Sequence, residues 1–278
     1  MGDSTTPPSS AHRGAQPTRP SDSAFVVGCA RSGTSILGEL IASHPTVKYV
    51  FEAHEIWERA GSGEGDSHRL TAAYASPAVI RSIRDWFELE RGSARLLVEK
   101  NPRNSLRIPF LRAVFPEAKI IHIVRDGRDT ACSLLPGIGG AEWMHLKPPR
   151  WKEWMNGHSG VVRCALAWQE VVEIALSDLE TVPHLRVKYE NLVVDPFGVA
   201  TALQDYLGLS PDPAMTAFCR RISNRTEGSY HAQVQTMWFR PDHVLRAGRW
   251  REYREQAPGE KEQVEELLRP TLTRLGYA

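Results

Sequence analysis

The sequence predicts an α/β fold: a P-loop-like central parallel sheet flanked by helices on both faces, in a single domain. Short apolar runs alternate with amphipathic ones along the chain, which is the pattern of β-α-β units. A glycine-containing turn joins the first apolar run, residues 24–27, to the first amphipathic one. The length of 278 residues suits one such domain with a full core.

Strands and helices follow from the period of the apolar residues. Runs that are apolar or alternate with period two predict strands at residues 24–27, 96–98, 119–124 and 185–189. Amphipathic patterns predict helices at residues 35–43, near 105–115, after Asp129, at 161–179 and from Gly259, with two short helices behind the last strand. The apolar run before Glu52 is expected to reach the same sheet edge.

Composition limits the classes of function. Residues 1–23 are poor in apolar residues and rich in Pro and Ser, so they predict a disordered tail ahead of a domain at residues 24–278. The net charge of +1 argues against nucleic acid or an anionic membrane as partner. The four cysteines lack metal-ligand spacing, which predicts free thiols in a reducing compartment and no metal site. The sequence contains no run of about 18 apolar residues, so no membrane span is predicted.

The turn after the first strand, residues 28–35, reads GCARSGTS. It has the frame of a P-loop, G-x-x-x-x-G-K-[ST], but Thr34 stands where the lysine belongs. Backbone N–H groups and the hydroxyls of Thr34 and Ser35 would still converge on an anion, with Arg31 as the cation. Nucleoside triphosphates normally need the lysine and Mg²⁺, so this loop favours a 5′-phosphate that carries a sulfonate. A simple glycine turn with a solvated Arg31 is the alternative.

A second anion site is predicted after the strand at residues 119–124. Arg125 follows that strand directly, and Ser133 lies two turns into the next helix, for which Asp129 is the expected N-cap. Arginine suits bidentate contact with phosphate. Together with the loop, this pair indicates a bisphosphorylated nucleotide, and an Arg–Asp surface pair is the alternative.

Three segments resemble the PAPS-dependent sulfotransferase family, in particular the tyrosylprotein and carbohydrate branch and its bacterial relatives. They read VVGCARSGTSILGELIASHP at 26–45, VEKNPRNSLRIPFLRAVFPEAKIIHIVRDGRDTACSL at 98–134 and RAGRWREY at 246–253; KYENLVVDP at 188–196 is a weaker fourth match. The resemblance implies a sulfotransferase that uses 3′-phosphoadenosine 5′-phosphosulfate (PAPS), releases adenosine 3′,5′-bisphosphate (PAP) and requires no metal. The acceptor would be a hydroxyl of a small molecule, carbohydrate or peptide.

The resemblance also implies roles for matching residues. The 5′-phosphosulfate loop would comprise Arg31, Ser32, Gly33, Thr34 and Ser35. The 3′-phosphate would be held by Arg125 and Ser133, with Tyr189 near the adenosine. The segment that closes over the nucleotide would contain Arg246, Gly248, Arg249 and Trp250, with Arg246 or Arg249 reaching a phosphate. A P-loop kinase, or a nucleotide-binding protein without sulfuryl transfer, is the alternative function.

Glu52 is the expected general base. Small-molecule sulfotransferases take a histidine after the strand lysine, but Lys100 is followed here by Asn and Pro. The tyrosylprotein and carbohydrate branch takes a glutamate after the first helix, and Glu52 matches it. Its neighbours Phe51 and Trp57 predict a raised pKa; Glu55 and then His54 are the other candidates. Lys100 is expected to stabilise the transferring group beside Arg31, and a solvated strand-end lysine is the alternative.

The acceptor side is less specific. Residues 137–160 form a predicted loop with three tryptophans, which suits stacking on an acceptor or simple cover of the sheet. Residues 61–74 and 228–231 are further candidates for the rim. Since Golgi relatives carry a membrane anchor and no signal core or span is visible, a cytoplasmic location is expected.

Overall fold

The computed structural model describes residues 22–138, 146–155, 157–223 and 245–277. Five parallel strands form one sheet: β1 (Ser23–Val27), β2 (Val47–Phe51), β3 (Leu96–Lys100), β4 (Lys119–Val124) and β5 (His184–Lys188). Their order in the sheet is β2-β3-β1-β4-β5. The predicted α/β architecture is confirmed.

Helices connect and flank the strands in the described part of the chain. They are α1 (Thr34–Ala42), α2 (His54–Glu58), α3 (Pro77–Arg91), α4 (Ile108–Val114), α5 (Gly127–Ile138), α6 (Trp151–Met155), α7 (Gly160–Asp178), α8 (Tyr189–Val194), α9 (Pro196–Leu207), α10 (Pro213–Ser223), α11 (Arg249–Glu252) and α12 (Glu260–Leu275). Short 3-10 turns lie at Glu64–Asp66, Ala72–Tyr74 and Pro102–Leu106.

The side chains of β1 alternate between two cores, as a strand of period two requires. Ala24 and Val26 pack with α1, α9 and α10 on one face of the sheet. Phe25 and Val27 pack with α3 and α4 on the other face. All four are fully buried, so β1 is a central strand covered by helices on both sides.

Some elements differ from the sequence prediction. Helix α3 was not predicted, although its apolar residues recur at helical spacing and Ser76 caps it by accepting a hydrogen bond from the Val79 N–H. The fourth predicted strand ends at Lys188, because Tyr189 already begins α8.

The carboxyl ends of four strands meet at one edge of the sheet. Val26 of β1 and Phe51 of β2 are both in register with Lys100 of β3, and Val27 is in register with His122 of β4. The turns that follow these strands therefore lie side by side. In open parallel sheets this edge is where ligands bind.

Candidate active site

The loop between β1 and α1 is held in a conformation that requires glycine. The Gly28 N–H donates to Ser105 Oγ at 2.7 Å, which fixes the start of the loop. Arg31 and Gly33 have φ angles of 68° and 93°. A Cβ at Gly33 would lie 2.5 Å from the Tyr189 ring, so no larger residue fits there. The loop thus runs over Tyr189 and enters α1 with its N–H groups at the sheet edge.

The hydroxyl groups of this loop differ in exposure. Ser32 is buried, and its Oγ has no hydrogen-bond partner among the described residues. Thr34 is buried at the first position of α1, and Ser35 is half-buried behind it. A buried hydroxyl without a partner is uncommon and is explained by a bound group that completes it.

The two predicted anion sites form one cluster. Arg31 Nε donates to Ser133 Oγ at 3.2 Å, which joins the loop to α5. Arg125 Nη1 donates to the Arg31 carbonyl at 3.1 Å. The Arg125 guanidinium stacks on the Tyr189 ring, 4.3 Å from its centroid, and its Nε is buried without a partner among the described residues. The four side chains are therefore packed against one another.

The residues from Arg246 to Trp250 lie against this cluster. The Arg246 carbonyl accepts from Arg125 Nη2 at 3.2 Å, while its side chain is exposed and pairs with Glu252. Arg249 is half-buried, and Trp250 is buried with its Nε1 donating to Glu265. Of the two candidate arginines, Arg249 is the one whose charge lowers the pKa of Arg31.

The pKa values of two arginines in the cluster reflect the positive charges of their neighbours. Partial burial and then the charges of Arg249 and Arg125 lower the pKa of the solvent-accessible Arg31. Burial and then Arg246 and Arg125 lower the pKa of Arg249. Cations that destabilise one another in this way are stabilised by a bound anion. The cluster thus fits a phosphate-bearing ligand.

Asp129 does not have its predicted role as an N-cap. Helix α5 already starts at Gly127, so Asp129 lies in its first turn, and the Asp126 carboxylate accepts from the Arg128 N–H. The Asp129 carboxylate instead reaches across the site. It accepts from the N–H of Gly248 at 2.6 Å and of Trp250 at 2.8 Å.

Glu52 lies at the end of β2 with a left-handed φ of 47°. Its Oε1 accepts from Lys100 Nζ at 2.5 Å, and its Oε2 lies 3.5 Å from His54 Nε2. Burial opposes ionisation, but the hydrogen bond from His54 and the charge of Lys100 outweigh it and lower the pKa of Glu52 to about 2. The prediction of a raised pKa is therefore wrong. The Trp57 ring, expected beside Glu52, instead donates its N–H to Glu99.

Lys100 is fully buried, so the alternative of a solvated strand-end lysine is wrong. Its Nζ lies 3.6 Å from the centroid of the Phe51 ring and pairs with Glu52. Burial lowers the pKa of Lys100, and the carboxylate of Glu52 partly offsets this. Glu55, the second candidate base, is exposed on α2.

Two residues beside the predicted pair were missed. Glu99 is fully buried and accepts from Trp57 Nε1 at 3.2 Å and from Asn104 Nδ2 at 2.7 Å. Burial raises its pKa to about 7. Asn101 Nδ2 lies 3.3 Å from His54 Nδ1, and its Oδ1 accepts from the Arg103 N–H. A glutamate that ends the apolar run at 96–98 was the available signal.

Where the structure describes it, the loop with three tryptophans packs on the core formed with α5 and α7. Trp154 is buried in α6 and donates to Glu170 at 2.8 Å. Lys147 and Lys152 lie over the Trp151 ring, 4.9 Å and 5.4 Å from its centroid. Trp143, His145 and the predicted rim at 228–231 lie outside the described residues.

Residues 23–213 match the model of the sulfotransferase family. The chain belongs to this family. It is 25% identical over 205 residues to protein-tyrosine sulfotransferase A of Caenorhabditis elegans (68% of this chain, 50% of the relative) and 26% identical over 203 residues to protein-tyrosine sulfotransferase 2 of Gallus gallus (67% and 51%). This sulfotransferase-family chain spans about half the length of these curated relatives.

Solved structures share the fold. The sulfotransferase domain from the curacin biosynthetic pathway superposes with a TM-score of 0.59 at 15% identity, covering 91% of this chain and 97% of that one. A mouse sulfotransferase solved with PAP gives 0.55 at 19% identity, covering 91% and 85%. The predictions of family and fold are thus confirmed.

The predicted cytoplasmic location is wrong. The curated relatives are protein-tyrosine sulfotransferases, and these are Golgi membrane enzymes. Within the described part of the chain, none of the helices combines the length and hydropathy needed to cross a bilayer.

Proposed function

We propose that this protein transfers the sulfuryl group of PAPS to a hydroxyl group of an acceptor. The observation that carries the proposal is the juxtaposition of two charged groups at one sheet edge. An arginine cluster follows β1 and β4, and the ion pair of Glu52 with the buried Lys100 lies at the ends of β2 and β3. The first suits a bisphosphorylated donor and the second suits a proton transfer and a charged leaving group.

The donor would be held by residues that the structure brings together. Arg31, the buried Ser32 hydroxyl and the N–H groups at the start of α1 would hold the 5′ side, and Arg125 and Ser133 would hold the 3′-phosphate. Arg249 would add a third guanidinium from the far end of the chain. PAPS supplies the activated sulfuryl group; these side chains bind and orient it, and balance its charge.

Glu52 would accept the proton of the acceptor hydroxyl. With a pKa of about 2 it is ionised throughout the neutral range, so the proton-accepting form is always present. A carboxylate this weak is effective only when the hydroxyl has become acidic, so we infer that the proton leaves late, after the new bond to sulfur has begun to form. Lys100, beside Glu52, would stabilise the charge that develops on the transferring group.

A tyrosine side chain in a peptide is the acceptor that the curated relatives favour, since both are named protein-tyrosine sulfotransferases. Small-molecule and carbohydrate hydroxyls are the other acceptors to be tested. The paired carboxyl ends of β2 and β3, where His54 faces Glu52, are the side of the site on which the acceptor would lie.

The test combines binding and turnover. Calorimetric titration of the protein with PAP, and with ATP and Mg²⁺, is run with and without EDTA, and transfer from ³⁵S-labelled PAPS is measured with a tyrosine peptide, a phenol and a sugar. We expect PAP binding that EDTA does not change, and label on at least one acceptor. Preference for ATP with Mg²⁺ would instead indicate a P-loop kinase, and PAP binding without transfer to any acceptor would indicate a nucleotide-binding protein.

A further inference from the structure

The buried carboxylate of Asp129 binds the segment of the predicted nucleotide site that comes last in the sequence. Residues 245–253, here called the C-terminal strap, lie across the start of α5. Asp129 is 2% exposed, and each of its oxygens accepts a strap N–H, from Gly248 at 2.6 Å and from Trp250 at 2.8 Å. These bonds join parts of the chain 119 and 121 residues apart. Charge-assisted bonds of this length are among the stronger ones in proteins.

The strap brings a positive charge to a place that already holds one. Arg249 is the charge that most strongly lowers the pKa of Arg31 after the effect of burial. This repulsion disfavours the approach of Arg249 to the phosphate loop. A contact that holds the strap in place would therefore assist the binding of an anion.

The strap makes other contacts, and Trp250 is buried in the core between α5, α7 and α12. Arg125 Nη2 donates to the Arg246 carbonyl at 3.2 Å, which is a single bond. The Trp250 indole N–H donates to Glu265, on the side that faces α12. Asp129 Oδ2 also forms an ion pair with Arg125 Nη2 at 3.6 Å, which is longer than either of its hydrogen bonds to the strap.

We propose that Asp129 is a positioning residue for nucleotide binding, which acts through the strap by holding Arg249 beside Arg31. This inference rests on the proposed function, because it takes the arginine cluster to be the PAP site. If the fold already holds the two guanidinium groups close together, the free energy needed to bring them together is not subtracted from the free energy of ligand binding. Asp129 itself does not touch the ligand in this role.

The first test compares two acidic residues at the start of α5. Asp129→Asn keeps the size of the side chain but can accept only one of the two strap N–H bonds. We expect its dissociation constant for PAP, measured by calorimetry, to rise about 10- to 100-fold. Asp126→Asn is the matched control, because Asp126 pairs with Arg128 away from the strap, and its PAP affinity should stay within about threefold of wild type.

A double-mutant cycle separates positioning from general destabilisation. If Asp129 acts through Arg249, then Asp129→Asn should change PAP affinity by less than about threefold once Arg249→Ala is present. Full additivity of the two substitutions would overturn the proposal. If Asp129→Asn does not fold, Asp129→Glu keeps the charge but displaces both oxygens, and the same cycle is run with it.

Hydrogen exchange tests the anchor without a ligand. Amides of the strap should exchange faster in Asp129→Asn than in wild type, while amides of β1 are unchanged. Unaltered protection of the strap would overturn the proposal. If the wild-type protein failed to bind PAP, the proposed function would be rejected, and the exchange result would still decide whether Asp129 holds the strap.

Discussion

Replacing Glu52 with Gln tests the catalytic half of the site in two independent ways. The substitution removes a negative charge next to the fully buried Lys100 ammonium and keeps nearly the same shape. If Glu52 is the base, turnover should fall about 100- to 10,000-fold. PAP affinity should be retained, because the proposed donor site is formed by other residues.

The same substitution has a calculable effect on stability. A fall in the pKa of Glu52 from 4.5 to about 2 corresponds to about 3 kcal/mol of stabilisation above pH 4.5. Since the folded-state pKa is the lower one, this stabilisation is lost as the pH falls from 4.5 towards 2. The Glu52 side chain is 26% exposed, so solvent screening makes 3 kcal/mol an upper value.

Urea denaturation at pH 7 measures this effect. We expect Glu52→Gln to lower the free energy of unfolding by about 2 to 3 kcal/mol, because Lys100 then remains buried without its counter-charge. The double variant Glu52→Gln, Lys100→Met should recover part of this loss, since no buried charge is left. Wild-type turnover in Glu52→Gln would refute the role as base, and loss of PAP affinity equal to the loss of turnover would indicate a structural role. Unchanged stability in both variants would refute the ion pair.

Three further predictions concern other residues. His122 is fully buried with both ring nitrogens unpartnered among the described residues, and burial lowers its pKa to about 3, so the protein should lose stability between pH 6.5 and 3; urea denaturation at pH 7 and pH 5 should show a smaller difference for His122→Phe. Gly33→Ala places a Cβ 2.5 Å from the Tyr189 ring at a positive φ, so PAP binding measured by calorimetry should weaken by at least about tenfold. His54→Ala removes a hydrogen bond that lowers the pKa of Glu52, so the acid limb of kcat/KM against pH should move upward, towards the ordinary carboxyl range; an unmoved limb would contradict this.

Structural features that depend on residues close together in the chain could be predicted from the sequence. The turn from β1 into α1 and the position of Arg125 after β4 follow from local apolar runs and from the residues directly behind them. The meeting of Arg31 and Ser133 also follows, because parallel strands place their carboxyl ends at one edge.

Features that depend on distant packing could not be predicted. Phe51 and Trp57 flank Glu52 in the sequence, which suggested an apolar environment and a raised pKa. The fold turns Trp57 into the core towards Glu99 and brings Lys100 against Glu52 instead. A charge partner from another strand thus reverses the direction of the shift, and no pattern within residues 49–57 indicates it.

The two halves of the site balance charge in opposite ways, and this suits their different tasks. In the base half, Glu52 and Lys100 neutralise each other before any ligand binds, so the pair remains ordered at the end of buried strands. In the proposed donor half, the positive charges of Arg249 and Arg125 lower the pKa of Arg31, and Asp129 accepts two strap N–H bonds besides its ion pair with Arg125. A ligand with two phosphate groups relieves that repulsion, whereas a neutral ligand does not. We therefore expect part of the affinity for PAPS to come from relief of this repulsion, and the anchoring of the strap to matter most when the site holds no ligand.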